Sequence, residues 1–306
     1  MLKKALAFFI ILLVGTELLA QQEQTYSQYM FVPSIYNPGH TGSQNAICAT
    51  GIMKQQWIGL EGAPTVYSIM VESPVRFLRG GLGLNINTDQ IGGFNNTSVK
   101  LKYAYHRKSG KNLLGIGIGI GLVNQKLDFS YFNVSVDDPL LTSTEEESGM
   151  IFDIDAGLYY QRGSKWYAGV SSSQIIQGSM EISGGKTQLK RGYYATAGYN
   201  FRFLRMPKIV VSPSLFVGYT AKAPLIINVG ATGEYNNMFW GGVLYKHQEG
   251  IAVMAGVKYK NIKVGYAYDI NTNQLKNGGS HEIRLGYCFK LEIEKPKRSY
   301  KNTRYL

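Results

Sequence analysis

From Asn45 onward, apolar and polar side chains alternate every second residue, segment after segment. In "TSVKLKYAYHR", Val99, Leu101, Tyr103 and Tyr105 fall on one face, and Lys100, Lys102, Ala104 and His106 on the other. "NIKVGYAYDI" sets Ile262, Val264, Tyr266, Tyr268 and Ile270 against Lys263, Gly265, Ala267 and Asp269. "IFDIDAGLYY" sets Phe152, Ile154, Ala156, Leu158 and Tyr160 against Asp153, Asp155 and Gly157. A face carrying lysine and aspartate is too polar for a packed sandwich core. It suits the interior of a wide barrel whose outer face meets lipid. The pattern predicts strands near 45–58, 64–76, 80–88, 96–108, 112–126, 150–162, 165–173, 191–203, 208–220, 224–235, 238–247, 250–259, 262–270 and 280–291. The fold class is all-β, a transmembrane antiparallel β-barrel of about 14 strands, an even number as in bacterial outer-membrane barrels.

The connections fall into two alternating classes. One holds the short turns "FLRG", "KSGKN", "RGSK", "FLRMPK", "NN" and "KN"; the other includes the long segments 127–149, 174–190 and 271–279. Short turns belong to the periplasmic side and longer loops to the outside. This topology puts Arg79, Lys108, Lys111, Arg162, Lys165, Arg205 and Lys208 in or beside the periplasmic turns. The tail "KPKRSYKNTRYL", with Lys297 and Arg298, lands on the same side. Two readings stand for this basic face. It is a docking surface for an acidic periplasmic partner, or a solvated rim touching lipid phosphates.

Composition narrows the picture. The start, "MLKKALAFFIILLVGTELLA", has lysines, an apolar run and a small residue in the order of a secretory signal peptide, expected over 1–20. Residues 21–44 form an N-terminal segment, periplasmic or plugging the lumen; 45–291 form the barrel and 292–306 a basic periplasmic tail. No later stretch is apolar enough for a transmembrane helix. The chain has 36 Gly, 22 Tyr and only 17% charged residues, which fits tight turns and interfacial aromatic belts. Its formal net charge is +12. Export and the lack of any nucleic-acid motif exclude nucleic acid as the partner, leaving an acidic protein or anionic lipid.

Candidate chemistry is sparse. "GIGIGIGL" is not a phosphate loop, because its glycines recur every second residue and Gly115, Gly117, Gly119 and Gly121 share one strand face. They seat a plug or partner segment, or let the strand curve, and curvature is the favoured reading. Cys48 opens the first strand and Cys288 closes the last, so barrel closure brings them together on the inner face. A cross-seam disulfide, a close thiol pair and two unrelated thiols all remain open, and the bond requires suitable spacing. His40, His106, His247 and His281 show no metal-ligand spacing, and no nucleophile elbow occurs. Asp153 and Asp155 read as solvated lumen residues before they read as paired catalytic carboxylates. The acidic segment 137–149 lacks EF-hand spacing and reads as a solvated loop before a calcium site. No catalytic residue, metal or cofactor is expected.

Four stretches resemble the PorP/SprF family of outer-membrane proteins linked to type IX secretion and gliding. They are "QYMFVPSIYNPGHTGS" (28–43), "KQQWIGLEGAPTVYSI" (54–69), "GLGLNINTDQIGG" (81–93) and "YDINTNQLKNGGSHEIRLGYCF" (268–289). With the strand pattern, the likeness spans nearly the whole chain after the leader; 127–190 matches only by pattern.

The resemblance implies a non-catalytic barrel. Its members help export or anchor secreted adhesins carrying type B C-terminal sorting domains, and some connect to the periplasmic secretion and motility apparatus. The motif residues it singles out are Tyr36, Asn37, Pro38, Gln56, Trp57, Gly62, Pro64, Asp89, Gly279, Ser280, His281 and Glu282. "YNP" reads as a turn feeding the first strand. Trp57, Gly62, Pro64, Asp89, Gly279, Ser280, His281 and Glu282 form a candidate extracellular cluster where a sorting domain sits. The alternatives are a porin-like or fatty-acid-channel-like transport barrel and an outer-membrane hydrolase. In the closing strand, Ile283, Leu285, Tyr287 and Phe289 face lipid, while Glu282 and Arg284 form a charge pair in the lumen. "RLGYCF" resembles the terminal signal read by the barrel-assembly machinery.

Overall fold

The computed structural model describes residues 25–131, 147–182, 185–272 and 278–290. The expected leader, most of the acidic 137–149 loop, and the tail with Lys297 and Arg298 lie outside the described residues.

The chain runs through β1 (Ala46–Gln55), β2 (Thr65–Val75), β3 (Gly80–Ile91), β4 (Phe94–Ser109), β5 (Asn112–Leu127), β6 (Glu147–Arg162) and β7 (Trp166–Ser173). A small hairpin follows, β8 (Ser179–Ile182) and β9 (Gly185–Gln188). Then come β10 (Gly192–Tyr199), β11 (Phe201–Phe203), β12 (Met206–Thr220), β13 (Ile226–Tyr235), β14 (Phe239–Lys246), β15 (Gly250–Tyr259), β16 (Ile262–Asn271) and β17 (Ser280–Lys290). β10 and β11 are one strand broken at Asn200, and both pair with β12. The result is a closed antiparallel barrel of 14 strands, sealed where β1 meets β17. The β8–β9 hairpin sits in what the sequence reads as a plain long loop. Met180 and Leu189 fold it onto Val123 and Ile151.

Strand parity sets the two faces. Exposed Ile116, Ile118, Ile120, Leu101, Val253 and Leu285 point outward into the lipid band. Buried Lys54, Glu72, Lys100, Lys102, Asp153, Asp155, Lys246, Asp269, Glu282 and Arg284 point inward. The side chains of about eight strands already fill a barrel; 14 strands enclose more space than their own side chains occupy.

Residues from Thr25 to Ser43 occupy that space. They make three short turns, Tyr29–Phe31, Pro33–Tyr36 and Pro38–His40. The sequence writes these turns plainly. Pro33 and Pro38 each stand at a first helical position, and the Asn37 side chain accepts the Gly39 N–H at 2.9 Å as an N-cap. Tyr26, Tyr29, Val32 and Tyr36 pack on Phe216, Tyr194, Leu244, Met254 and Trp240 in one apolar cluster. The "YNP" stretch is therefore a turn buried against the barrel wall rather than a lead-in to the first strand. Tyr36 stacks edge-on against Phe216 at 4.8 Å. Asn37 donates to the carbonyls of Leu158 at 2.9 Å and Val170 at 3.2 Å, which face each other across β6 and β7.

Glycines clear the seat for this segment. A Cβ on Gly115 would strike the Gly39 carbonyl, one on Gly117 would strike Pro38, and one on Gly157 would strike the Asn37 amide. Curvature, the favoured reading from sequence, does not account for Gly115 and Gly117, because the space they leave is filled. Gly119 and Gly121 meet neighbouring strand atoms instead.

Candidate functional site

The inward charges form a polar cradle for the N-terminal segment. The Glu282 carboxylate accepts the backbone N–H groups of Ser27 at 2.7 Å and Gln28 at 2.9 Å, just before the first turn. At the far end of the second turn, Lys102 Nζ donates to the carbonyls of Ser34 at 2.7 Å and Ile35 at 2.8 Å. A carboxylate on free N–H groups and an ammonium on free carbonyls is the favourable arrangement at turn ends. Glu72 accepts from Ser34 Oγ and from the Gly42 N–H, both at 3.0 Å. Asp269 accepts from Ser27 Oγ at 2.6 Å and pairs with Lys246 at 2.6 Å and Lys54 at 3.6 Å. Lys54 in turn donates to the Thr25 carbonyl.

This geometry revises two readings of the sequence. Glu282 and Arg284 both face the lumen, but they engage the segment rather than each other. Arg284 donates to Gln28 Oε1 at 3.1 Å and lies over the Phe31 ring at 4.6 Å. Asp153 and Asp155 are not solvated. Lys100 binds them at 2.7 and 2.9 Å in a buried triad, and a charge buried this deeply is held by a partner of opposite sign.

The eight residues of the candidate extracellular cluster separate into three environments. Trp57, Gly62, Pro64, Gly279 and Ser280 belong to one backbone-tied rim. The Trp57 N–H donates to Ser280 Oγ at 3.2 Å and the Ile58 N–H to the Gly279 carbonyl at 2.9 Å. The Pro64 carbonyl accepts from Gln56 at 2.9 Å, and the Gly62 carbonyl from Gly92 at 3.0 Å. Gly62 and Gly279 hold φ of 70° and 80°, a region that excludes most side chains. Asp89 and Glu282 face inward, and Glu282 is 0% exposed. His281 faces outward, bonded to the Tyr266 hydroxyl and packed 5.0 Å from the Tyr268 ring in an interfacial aromatic girdle. The exposed tip of the first loop is Gly59, Leu60 and Glu61, with Ile58 half-buried beside them.

At the opposite mouth, Arg79, Lys108, Lys111, Arg162, Lys165, Arg205 and Lys208 are all exposed. Arg76, Arg107, Arg202, Lys258 and Lys260 share that rim and that exposure. Cys48 and Cys288 lie at this end too. They are opposed across the β1–β17 seam with Cα atoms 4.1 Å apart and are joined by a disulfide, well inside the reach of about 7 Å. Among the described residues no group of His, Cys, Asp and Glu is arranged to hold a metal ion.

A family model described as type IX secretion system membrane protein PorP/SprF matches residues 18–287. The chain belongs to the PorP/SprF family. Among solved structures, the CymD monoaromatic hydrocarbon channel is similar, with a TM-score of 0.54 and 12% identity over 92% of this chain and 97% of that one. The Ralstonia pickettii toluene transporter TbuX has a TM-score of 0.53 and 12% identity over 84% of this chain and 93% of that one. At such identity the likeness is one of fold. No curated protein matches the chain in sequence.

As a PorP/SprF protein with a closed barrel, it resides in the bacterial outer membrane and is associated with type IX secretion. The short, arginine- and lysine-rich turns lie at one mouth and the longer loops, with the rim around Trp57 and Gly279, at the other; short periplasmic turns and longer extracellular loops are the rule for outer-membrane barrels.

Proposed function

We propose that the barrel is a non-catalytic platform. Its extracellular loops hold the type B C-terminal sorting domain of a secreted adhesin, and its basic periplasmic rim meets the secretion and gliding apparatus. The observation that carries this reading is the filled lumen. The N-terminal segment is held by carboxylates and ammonium groups on β1, β2, β4, β16 and β17, so exposed chemistry is concentrated at the two mouths. Five of the motif residues brought together at the outer rim belong to two loops far apart in sequence, which supports a preformed surface for one partner. The one carboxylate pair weighed for catalysis is bound by Lys100 and buried.

Co-purification from outer membranes tests this. The intact barrel should bring down a large secreted protein. Replacing 58–61 with a Gly-Ser linker should abolish that capture while the barrel stays folded, as shown by its heat-modifiable migration on gels. A transport role is the second reading, favoured by the fold shared with CymD and TbuX, which are named as a hydrocarbon channel and a toluene transporter. Absence of any captured protein, with open conductance or hydrocarbon uptake in proteoliposomes, would decide for transport.

A further inference from the structure

The outer wall of the barrel is uneven at its extracellular end. On β12 to β16 the outward positions stay aromatic or aliphatic to the end of each strand: Tyr219, Tyr245, Ile251 and Ile270 are all exposed. On β1 to β5 they do not. There the apolar band ends at the cross-strand row Ile86, Val99 and Leu122 on β3 to β5, and one row higher, at Met53 and Tyr67, on β1 and β2. Above Ile86 and Val99 lie Thr88 and Thr97, with hydroxyls 3.3 Å apart. The last outward row reads Gln55, Thr65, Gln90, Asn95 and Lys126, each directly opposite the next. Asn95 stands about four residues beyond Val99, or ~14 Å of strand. That is past the reach of hydrocarbon and in the zone of lipid headgroups.

A cavity of about 520 Å³ opens over this row. The Gly62–Ala63 loop walls it on one side and Tyr131 and Asp128 on the other. Its shape is built in, because a Cβ on Gly62 would collide with the Tyr131 hydroxyl. The volume lies in the range of small-molecule sites. The chemistry is specific as well. Primary amides present a donor and an acceptor side by side, matching the vicinal hydroxyls of a sugar. The half-exposed Tyr131 ring offers an apolar face to a sugar ring. Lys126 supplies a point charge for phosphate. Leu60 and Phe94, each 39% exposed, add apolar lining beside the polar row.

We propose that this recess binds the phosphorylated saccharide headgroup of an outer-leaflet glycolipid, fixing one lipid to the β1–β5 wall. Barrel purified in mild detergent and moved into phosphatidylglycerol nanodiscs, with or without lipopolysaccharide, provides the test by native mass spectrometry. The wild type should retain one lipopolysaccharide per barrel. The double substitution Gln90→Leu with Asn95→Leu should weaken retention about ten-fold, from the loss of two sets of polar contacts. Lys126→Gln should weaken binding of the phosphorylated glycolipid more than of its dephosphorylated form. Tyr245→Leu, at the extracellular end of the opposite wall, should change neither. Gln90, Asn95 and Lys126 are outward-facing rim residues, so folding is checked only by heat-modifiable migration. Equal retention by the wild type and the folded double variant would overturn the proposal, as would equal loss in Tyr245→Leu, which marks nonspecific annular lipid. A protein retained in place of lipid and released by the double substitution would overturn it in favour of a protein partner.

Discussion

The lumen and the periplasmic rim use the same cations in opposite ways. Inside, Lys54, Lys100, Lys102, Lys246 and Arg284 are buried, and each is matched to a carboxylate, a carbonyl or an aromatic face. At the rim, Arg79, Lys108, Lys111, Arg162, Lys165, Arg205 and Lys208 are exposed and crowd together with little acid among them. A buried charge must be compensated or it unfolds its surroundings, so the lumen charges specify where one particular segment sits. A surface charge is under no such demand. A single-sign surface contributes a long-range field, which acts on whatever approaches. Lysine in the lumen is thus evidence about architecture, and lysine at the rim is evidence about partners.

Breaking the compensation inside should give the largest effects. Lys100→Met removes the ammonium from Asp153 and Asp155 and leaves their buried carboxylates without a countercharge from it, at a cost of about 3–5 kcal/mol. Urea unfolding in detergent, followed by tryptophan fluorescence, measures it. Converting the triad together to Met, Leu and Leu should recover most of the loss, since an apolar replacement of matched charges is often neutral. Failure of that rescue would mean the triad does more than balance itself.

The glycine seat comes next. Gly117→Leu puts a side chain where Pro38 sits, and overpacking of this kind costs about 1–3 kcal/mol. The expected outcome is a folded barrel with a displaced segment. Limited proteolysis should then cut within 25–43, which the wild type protects, and planar bilayers should show new conductance. An uncut segment would show that the lumen tolerates the side chain by another packing. The Cys48–Cys288 bond closes a span of 240 residues at the seam. Removing it with Cys48→Ser should cost about 2–4 kcal/mol, or less where the strands already pair, and reductant should destabilise the wild type to the same extent, read as equal melting temperatures for the reduced wild type and the variant.

The sequence revealed the wall of this barrel far better than its filling. Alternation is a local signal, so strands such as 96–108 and 262–270 could be placed within a few residues, and face assignments such as Lys100 in and Leu101 out followed from parity alone. The β8–β9 hairpin escaped notice because its strands are only 4 residues each. The rim of Trp57, Gly62, Pro64, Gly279 and Ser280 was legible only through family resemblance, since its bonds join loops at opposite ends of the chain. What the sequence left open was the occupant of the lumen, since 21–44 read equally as a periplasmic segment or a plug. Its signals were present: two prolines and an asparagine cap in 33–38, and the glycines of β5 and β6 that face it. Nothing local linked the two, because Glu282 meets Ser27 across 255 positions of sequence. A lumen rich in both signs of charge was the available clue. Such charges need partners, and a chain segment with free N–H groups and carbonyls can supply them.

At the rim the comparison predicts the reverse of what holds in the lumen. Reversing Arg79, Lys108, Arg162 and Arg205 to Glu should leave stability almost untouched, within about 0.5 kcal/mol per site, because none of these side chains is buried. Binding should respond instead. If the rim docks an acidic periplasmic partner, the quadruple variant loses capture of secretion components from solubilised envelopes, and wild-type capture weakens as salt rises past the screening length of about 8 Å at physiological strength. If the rim only touches lipid phosphates, capture survives the reversal, and the variant instead inserts poorly into anionic bilayers. The two readings share a charge pattern but differ in what the charge must find within a Debye length, so one variant carried through both assays separates them. A rim reversal that destabilised the barrel as much as Lys100→Met would defeat the contrast itself, since it would show that these exposed cations, like the buried ones, are held in compensated pairs.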